Sequence, residues 1–447
     1  MNSQSREINL LQGPLLKNII FFTIPIALSS ILQQFFSATD TAIVGLSGDA
    51  NALAAVGTNT EIVALIVTLS AGLSLGVNIL VSKRIGLGRK EEIPVAVQHA
   101  LFLAILIGII GLLIGQLISY PLLGLIDTPN RILHTAALYL RIFFLGYPFL
   151  LLYDFSSAVL RAHGDSRYPF MALALSGIVN IGLNLFFVIV CGLGVAGVAI
   201  ATDISNLLSA LMVIRHLIRV GYFRPSLSEF RMNFSRKIFG EILVIGIPAA
   251  IQDAVFCFAN IFLQASVNGF GEDAIAGNTI ALNFEYFTYY AMTAFAQTAT
   301  TFIGQNYAAG NSRRCRKIFG LCMILSLISS SIPIYTVVGL QGVFCRLFTS
   351  DAQVIAYAAI RINCILVLEP LCNFFEIPAA ALRGCDHPFY PAISTMLSCC
   401  VFRIFWICTI FQKFHTLPVL YYALPVTWCI TIAFMGIGIW KNRKQFA

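Results

Sequence analysis

The chain has 447 residues, 58% hydrophobic and only 11% charged, against roughly a quarter charged in a soluble domain. A net charge of +8 would suit nucleic acid in a soluble protein; in so apolar a chain the basic residues belong to loops and set topology, so no nucleic-acid partner is expected. The 12 Cys contain no CxxC pair and read as small buried hydrophobes, which excludes a disulfide frame or a thiolate metal site.

Apolar runs of about 20 residues recur along the whole chain, each long enough for the ~30 Å hydrocarbon core. Cut at Gly, Pro and charge clusters, they predict twelve transmembrane helices. These lie at about 15–44, 53–82, 94–119, 132–157, 168–190, 196–219, 238–267, 273–303, 317–339, 352–381, 389–411 and 418–440. The first lacks a small-residue cleavage site and reads as a retained span. Pro25 in the first and Pro248 in the seventh each remove a backbone donor and are hinge candidates. The class is an all-α integral membrane protein.

Lys and Arg orient it. Alternate connections carry Lys83, Arg84, Arg89 and Lys90; Arg161 and Arg167; Arg215 to Lys237, with Arg231 among them; Arg313, Arg314, Arg316 and Lys317; Arg383; and Lys441, Arg443 and Lys444. The intervening ones hold only Arg131, Arg346 and Lys413. Both termini are therefore expected in the cytoplasm.

The chain also repeats itself at a shift of about 222 residues. Pro25 falls on Pro248, Gly88 on Gly310, Pro148 on Pro370, Asp154 on Glu376, Arg161 on Arg383 and Pro169 on Pro391. Six spans per half make these parallel repeats, a frequent transporter design. The expected division is a lobe at 1–220, a cytoplasmic linker at 221–237 and a second lobe at 238–447.

GLGVAG, Gly192 to Gly197, satisfies GxGxxG, but it lies between two apolar spans and the next acid, Asp203, comes too soon for a dinucleotide site. No Walker motif, HExxH or GxSxG is present, so neither an enzyme nor a cofactor is expected.

Asp40 stands inside the first span, in QQFFSATDTAIVG. A transmembrane acid costs about 2.5–3.5 kcal/mol at a helix centre, so a function is expected of it. The first span rises outward and places Asp40 roughly 7 Å below the outer boundary. Asn184 and, one turn deeper, Asn180 in the fifth span fall at similar depth, as do Thr202 and Asp203 in the sixth. Carboxylate, amide and hydroxyl oxygens suit a hard cation. The repeat does not duplicate the set: Asp40 maps to Phe262 and Asn180 to Phe402. Asp203 and Glu61 fit helix packing as well as a site.

In the second half Asp253, Glu285 and Glu369 lie within spans. Glu285, in NFEYFTYY beside Tyr289 and other aromatics, suits a lipophilic organic cation through charge and cation–π contact. Asp253, Glu369 and Tyr289 join it as substrate-binding candidates, with Arg361 as an internal partner for Glu369. Asp154 and Glu376 read as packing or gate groups.

PIALSSILQQFFSATDTAIVG, VSKRIGLG, LRAHGDSRYP, VNIGLN, AIAGNTIALNFEYF, FIGQNYAAGN and ALRGCDHPFYP together make the chain resemble the multidrug and toxic compound extrusion (MATE) family over essentially its whole length. The resemblance implies two six-helix bundles forming a V around a central cavity, and export driven by Na⁺ or H⁺. It also implies a first-lobe cation site: Asp40, Asn180 and Thr202 match it residue by residue and would be the metal ligands if the ion is Na⁺. Asn184 stands where many members carry a second Asp, which favours a proton or a weak Na⁺ site. The expected function is antiport of Na⁺ or H⁺ against amphipathic, cationic organic compounds. A lipid-linked saccharide flippase of the same broader superfamily is the alternative, disfavoured because the spans hold only Arg141, Arg361 and Arg403 against several acids. Small organic substrates and membrane lipids are the expected partners of a monomeric chain in a bacterial cytoplasmic membrane.

Overall fold

The computed structural model describes residues 7–46, 50–126, 128–226 and 234–443, and these are almost entirely helical. Twelve long helical segments follow in order. The first half supplies α1 (Leu15–Leu46), α2 (Ala50–Gly86), α3 (Glu92–Leu125), α4 (Asn130–Ala162), α5 (Arg167–Asn184, running on as a π-helix over Leu185–Val190) and α6 (Gly194–Val220). The second supplies α7 (Arg236–Asn268), α8 (Glu272–Ala308), α9 (Ser312–Gly339), α10 (Ala352–Gly384), α11 (Phe389–Phe414) and α12 (Leu417–Lys441). A short helix, Gln341–Arg346, precedes α10. Of the orienting basic residues, Arg231 and Lys444 lie outside the described residues, as do residues 227–233 of the expected linker.

Among the described residues, eleven of the twelve are both long and apolar enough to cross a membrane. The exception, α8, is 37 residues long but carries Asn, Gln, Thr and acid along its length. Its Asn278, Thr298, Thr301 and Asn306 are fully buried. These polar side chains are tolerated because they are buried against protein.

The repeat is visible in the helix ends. α2 and α8 start at Ala50 and Glu272 and stop at Gly86 and Ala308; α4 and α10 start at Asn130 and Ala352 and stop at Ala162 and Gly384. Gly88 and Gly310, equivalent in the repeat, share φ +73°, a left-handed turn that favours glycine. Equivalent bonds tie α2 to α4 and α8 to α10: Asn78 Nδ2 donates to the Ala158 carbonyl, and Thr300 Oγ1 to the Ala380 carbonyl, both at 3.2 Å.

Two compact units result. One combines the chain up to Asn9 with Ile24–Ala250, the other Leu10–Thr23 with the chain from Ile251 on. The chain thus changes unit inside α1 and α7, within three residues of Pro25 and Pro248. Each proline leaves the carbonyl four residues earlier without its helical donor.

In the first unit α4 is central, packed on α2, α3 and α6. Val77, Val81, Val97, Ala100, Leu140, Leu151, Phe155, Val213 and Leu217 are fully buried there. Because lipid is as apolar as leucine, tight contact of small residues holds such helices together. α3 presents Gly108, Gly111 and Gly115 to Pro148, Tyr147 and Phe144 of α4, where a Cβ on any of the three would collide.

The residues before Leu10 are fastened to the same unit. Ile8 N donates to the Gly164 carbonyl at 3.2 Å, and Tyr222 Oη donates to Glu7 at 2.8 Å. Tyr222 in turn stacks on His163 at 3.6 Å between ring centroids. Burial depresses the His163 imidazole from 6.5 to about 4. A depressed histidine contributes stability that is full above 6.5 and is lost as pH falls through about 4. Thermal unfolding in detergent should therefore show a loss over that window, and His163→Gln should flatten it.

Candidate functional site

α1, α5 and α6 bring the predicted oxygens together within the first unit. Asn184 Nδ2 donates to Asp40 Oδ1 at 2.5 Å and to Asn180 Oδ1 at 3.0 Å. The Thr202 hydroxyl stands beside the same carboxylate and donates to the Val198 carbonyl at 3.0 Å. Asn180 Nδ2 reaches Ser205 Oγ at 3.4 Å, and Ser205 Oγ donates to the Thr202 carbonyl at 2.9 Å. Asn180 and Asn184 are buried, while Asp40 and Thr202 are half-buried.

Local structure explains the convergence. Asn180 and Asn184 share a face of α5. The helix widens to a π turn at Leu185, directly after Asn184, a distortion that often marks functional sites. α1 approaches closely because Phe36 lies against Gly177, where a Cβ would occupy the ring's place. Two neighbours complete the cluster: the Tyr139 ring of α4, near both Asp40 and Asp203, and Ser205. Sequence depth matching missed both, although the repeat carries a signal for one. Tyr139 is the equivalent of Arg361, which occupies the polar centre of the second unit.

Asp203 packs against Gly146 of α4, and its Oδ1 has no hydrogen-bond partner. A methyl group at Gly146 would strike this carboxylate. Gly146→Ala should therefore cost about 1–3 kcal/mol, read as a lowered unfolding temperature. Glu61, the other undecided acid, is exposed.

As a cation site the cluster offers one carboxylate, two amide oxygens and a hydroxyl. Asn184 turns its amide nitrogen toward both Asp40 and Asn180, and its own Oδ1 is buried without a partner. Asp40 Oδ1 and Asn180 Oδ1 are thus already occupied by the Asn184 amide, and of the two amide oxygens only Asn184 Oδ1 is left over. Both donors, Asn184 and Thr202, suit the ionised carboxylate, and a protonated Asp40 would need a neighbour to turn an acceptor oxygen toward it.

The second unit is arranged differently. Arg361 of α10 grips Glu285 of α8 bidentately, Nε to Oε1 and Nη2 to Oε2, both at 2.7 Å. Its Nη1 donates to Asn278 Oδ1 at 2.7 Å, which also accepts from Tyr421 Oη at 3.1 Å. The expected partnership of Arg361 with Glu369 is therefore corrected: Glu369 accepts from the Thr288 hydroxyl at 3.0 Å, and Arg361 is taken by Glu285. The aromatics flanking Glu285 do not surround it, since Tyr286 and Phe287 are exposed while Glu285 is buried. A helix turns adjacent residues about 100° apart.

Glu376 accepts from Tyr289 Oη at 3.3 Å, and Asp253 lies near Glu376 and Arg383. Asp154, the equivalent of Glu376, accepts from Ser70 Oγ at 2.6 Å. Each acid thus binds a hydroxyl of a neighbouring span, and the expected packing role fits that geometry. Arg403 is fully buried, with Nη1 donating to Asn260 Oδ1 at 2.7 Å.

A family model described as MatE matches residues 25–186 and 248–408, most of both halves. A Bacillus subtilis protein named probable multidrug resistance protein YpnP is 30% identical over 310 residues, 68% of this chain and 67% of that one. Probable multidrug resistance protein YoeA of the same organism is 24% identical over 392 residues, 86% and 84% of the two chains. A crystal structure of MATE in complex with MaD3S superposes with TM-score 0.88 at 22% identity, covering 98% of each chain; the fold is shared.

Proposed function

The chain belongs to the MatE family of multi-pass membrane transporters, and on that premise we propose that it is a secondary active exporter of amphipathic, cationic organic compounds, driven by an inward flow of H⁺ or Na⁺ at Asp40. The observation that carries this reading is the transmembrane carboxylate of Asp40, held by Asn184 and Thr202.

Geometry favours a proton over Na⁺. Asn184 supplies a donor where a second carboxylate would supply an acceptor, so the charge count for holding Na⁺ falls by one. Protonation of Asp40 would cancel its charge and weaken the bond it accepts from Asn184. Such a change biases a two-state transporter only if the proton is bound differently in the two states. Pro25 lies 15 residues earlier on the same helix, close to the change of unit, and is the bend we assign to that response. In the second unit Glu369 accepts from the Thr288 hydroxyl and, among the described residues, forms no ion pair, and we assign it to the substrate's positive charge.

The test is efflux of a fluorescent organic cation from proteoliposomes under separately imposed gradients. A pH gradient without Na⁺ should drive efflux, and a Na⁺ gradient at matched pH should not. Steady flux with neither gradient would mean a passive pore and defeat the proposal.

A further inference from the structure

A cavity of about 460 Å³ opens in the second unit where α1 begins and α9 starts, lined by Gly13, Leu15, Asn311, Arg313, Arg314, Lys317 and Leu321. Three of its lining residues are cations. Among the described residues no carboxylate forms an ion pair with any of them.

Arg314 forms the wall on the α1 side. Its Nη1 and Nη2 both donate to the Gly13 carbonyl at 3.3 Å, and Nη2 reaches the Leu10 carbonyl at 3.5 Å. Its Nε is buried without a partner. Gly13 has φ +83°, the turn that presents these carbonyls to the guanidinium. Neutral carbonyls leave the arginine's charge uncompensated, and Arg313 and Lys317 add two more beside it.

The helical spacing selects the ligand. Arg313, Lys317 and Leu321 stand at i, i+4 and i+8 and share one face of α9. From the helix start inward, that face runs from two cations to an apolar side chain, with Leu15 of α1 also in the lining. A free anion needs only the first part. A phosphate carrying acyl chains uses all of it.

The geometry points to a binding site for the phosphate of an anionic membrane lipid, seated on Arg313, Arg314 and Lys317 with its chains passing Leu15 and Leu321. The leaflet is the cytoplasmic one under the orientation expected from the loop charges. Binding itself does not rest on the transport reading.

Native mass spectrometry of the full chain in detergent tests the site, with phosphatidylglycerol, phosphatidylcholine and inorganic phosphate as probes. Phosphatidylglycerol should add one to one and in preference to phosphatidylcholine, and inorganic phosphate should not displace it. The Arg313→Gln, Lys317→Gln double variant should bind phosphatidylglycerol roughly 25-fold more weakly, about fivefold per charge removed, with phosphatidylcholine binding unchanged. Arg314 is left intact because it also fastens Leu10 and Gly13, and an unchanged unfolding temperature shows the double variant folded. Arg316→Gln, on the same turn but outside the lining, should bind like the parent. Equal binding of the two lipids, or an Arg316→Gln loss as large as the roughly fivefold expected per charge in the double variant, overturns the site. Displacement by equimolar inorganic phosphate would make it a soluble-phosphate site and overturn the lipid assignment. Transport is not read here, so failure leaves the exporter proposal standing.

Discussion

Asp40→Asn is expected to bring ion-driven efflux down to the level of protein-free liposomes while the protein still folds. Asn has the shape of Asp and can still accept from Asn184 and Thr202, which reach the Asp40 carboxylate in the structure. What it lacks is a group that changes charge. The stability cost should stay within about 1 kcal/mol, the worth of one hydrogen bond, so that lost transport cannot be assigned to misfolding. Asn184→Asp should do the reverse. It restores a second carboxylate beside Asp40 and should make efflux respond to a Na⁺ gradient, measured in the same liposomes.

The second large effect lies in the other unit. Arg361→Met should destabilise the protein by about 3–5 kcal/mol, because it leaves the buried Glu285 carboxylate without its bidentate partner. The double variant Arg361→Met, Glu285→Gln should recover much of that loss, since no unpaired charge then remains. Unfolding temperatures of the two single variants and the double variant form the cycle that reads it. An Arg361→Met protein as stable as the parent would mean that the ion pair is not formed.

The two units were not equally legible in the sequence. Hydrophobic runs, glycines and prolines located all twelve long helices, because lipid forces every backbone polar group into a helix and the apolar pattern follows. The α8 helix was found the same way despite its buried polar face. Depth along α1, α5 and α6 brought Asp40, Asn180, Asn184 and Thr202 together correctly, since a straight helix fixes height to about 1.5 Å per residue. Rotation about the helix axis was less legible. Height alone could not say whether Arg361 turns toward Glu285 or Glu369. That outcome depends on how helices pack. The repeat held a usable hint, because Tyr139 and Arg361 occupy one equivalent position at the polar centre of each unit. The change of unit inside α1 and α7 was hidden for a similar reason: a proline marks where a helix is free to bend, not which neighbours each half meets.

Proton movement counted against substrate movement bears most directly on the role proposed for Asp40. With a pH-sensitive dye inside proteoliposomes and no Na⁺ present, each transported organic cation should be matched by a counter-flow of protons, and Asp40→Asn should abolish both fluxes together. Substrate exchange without proton movement, or coupled proton movement surviving in Asp40→Asn, would contradict it.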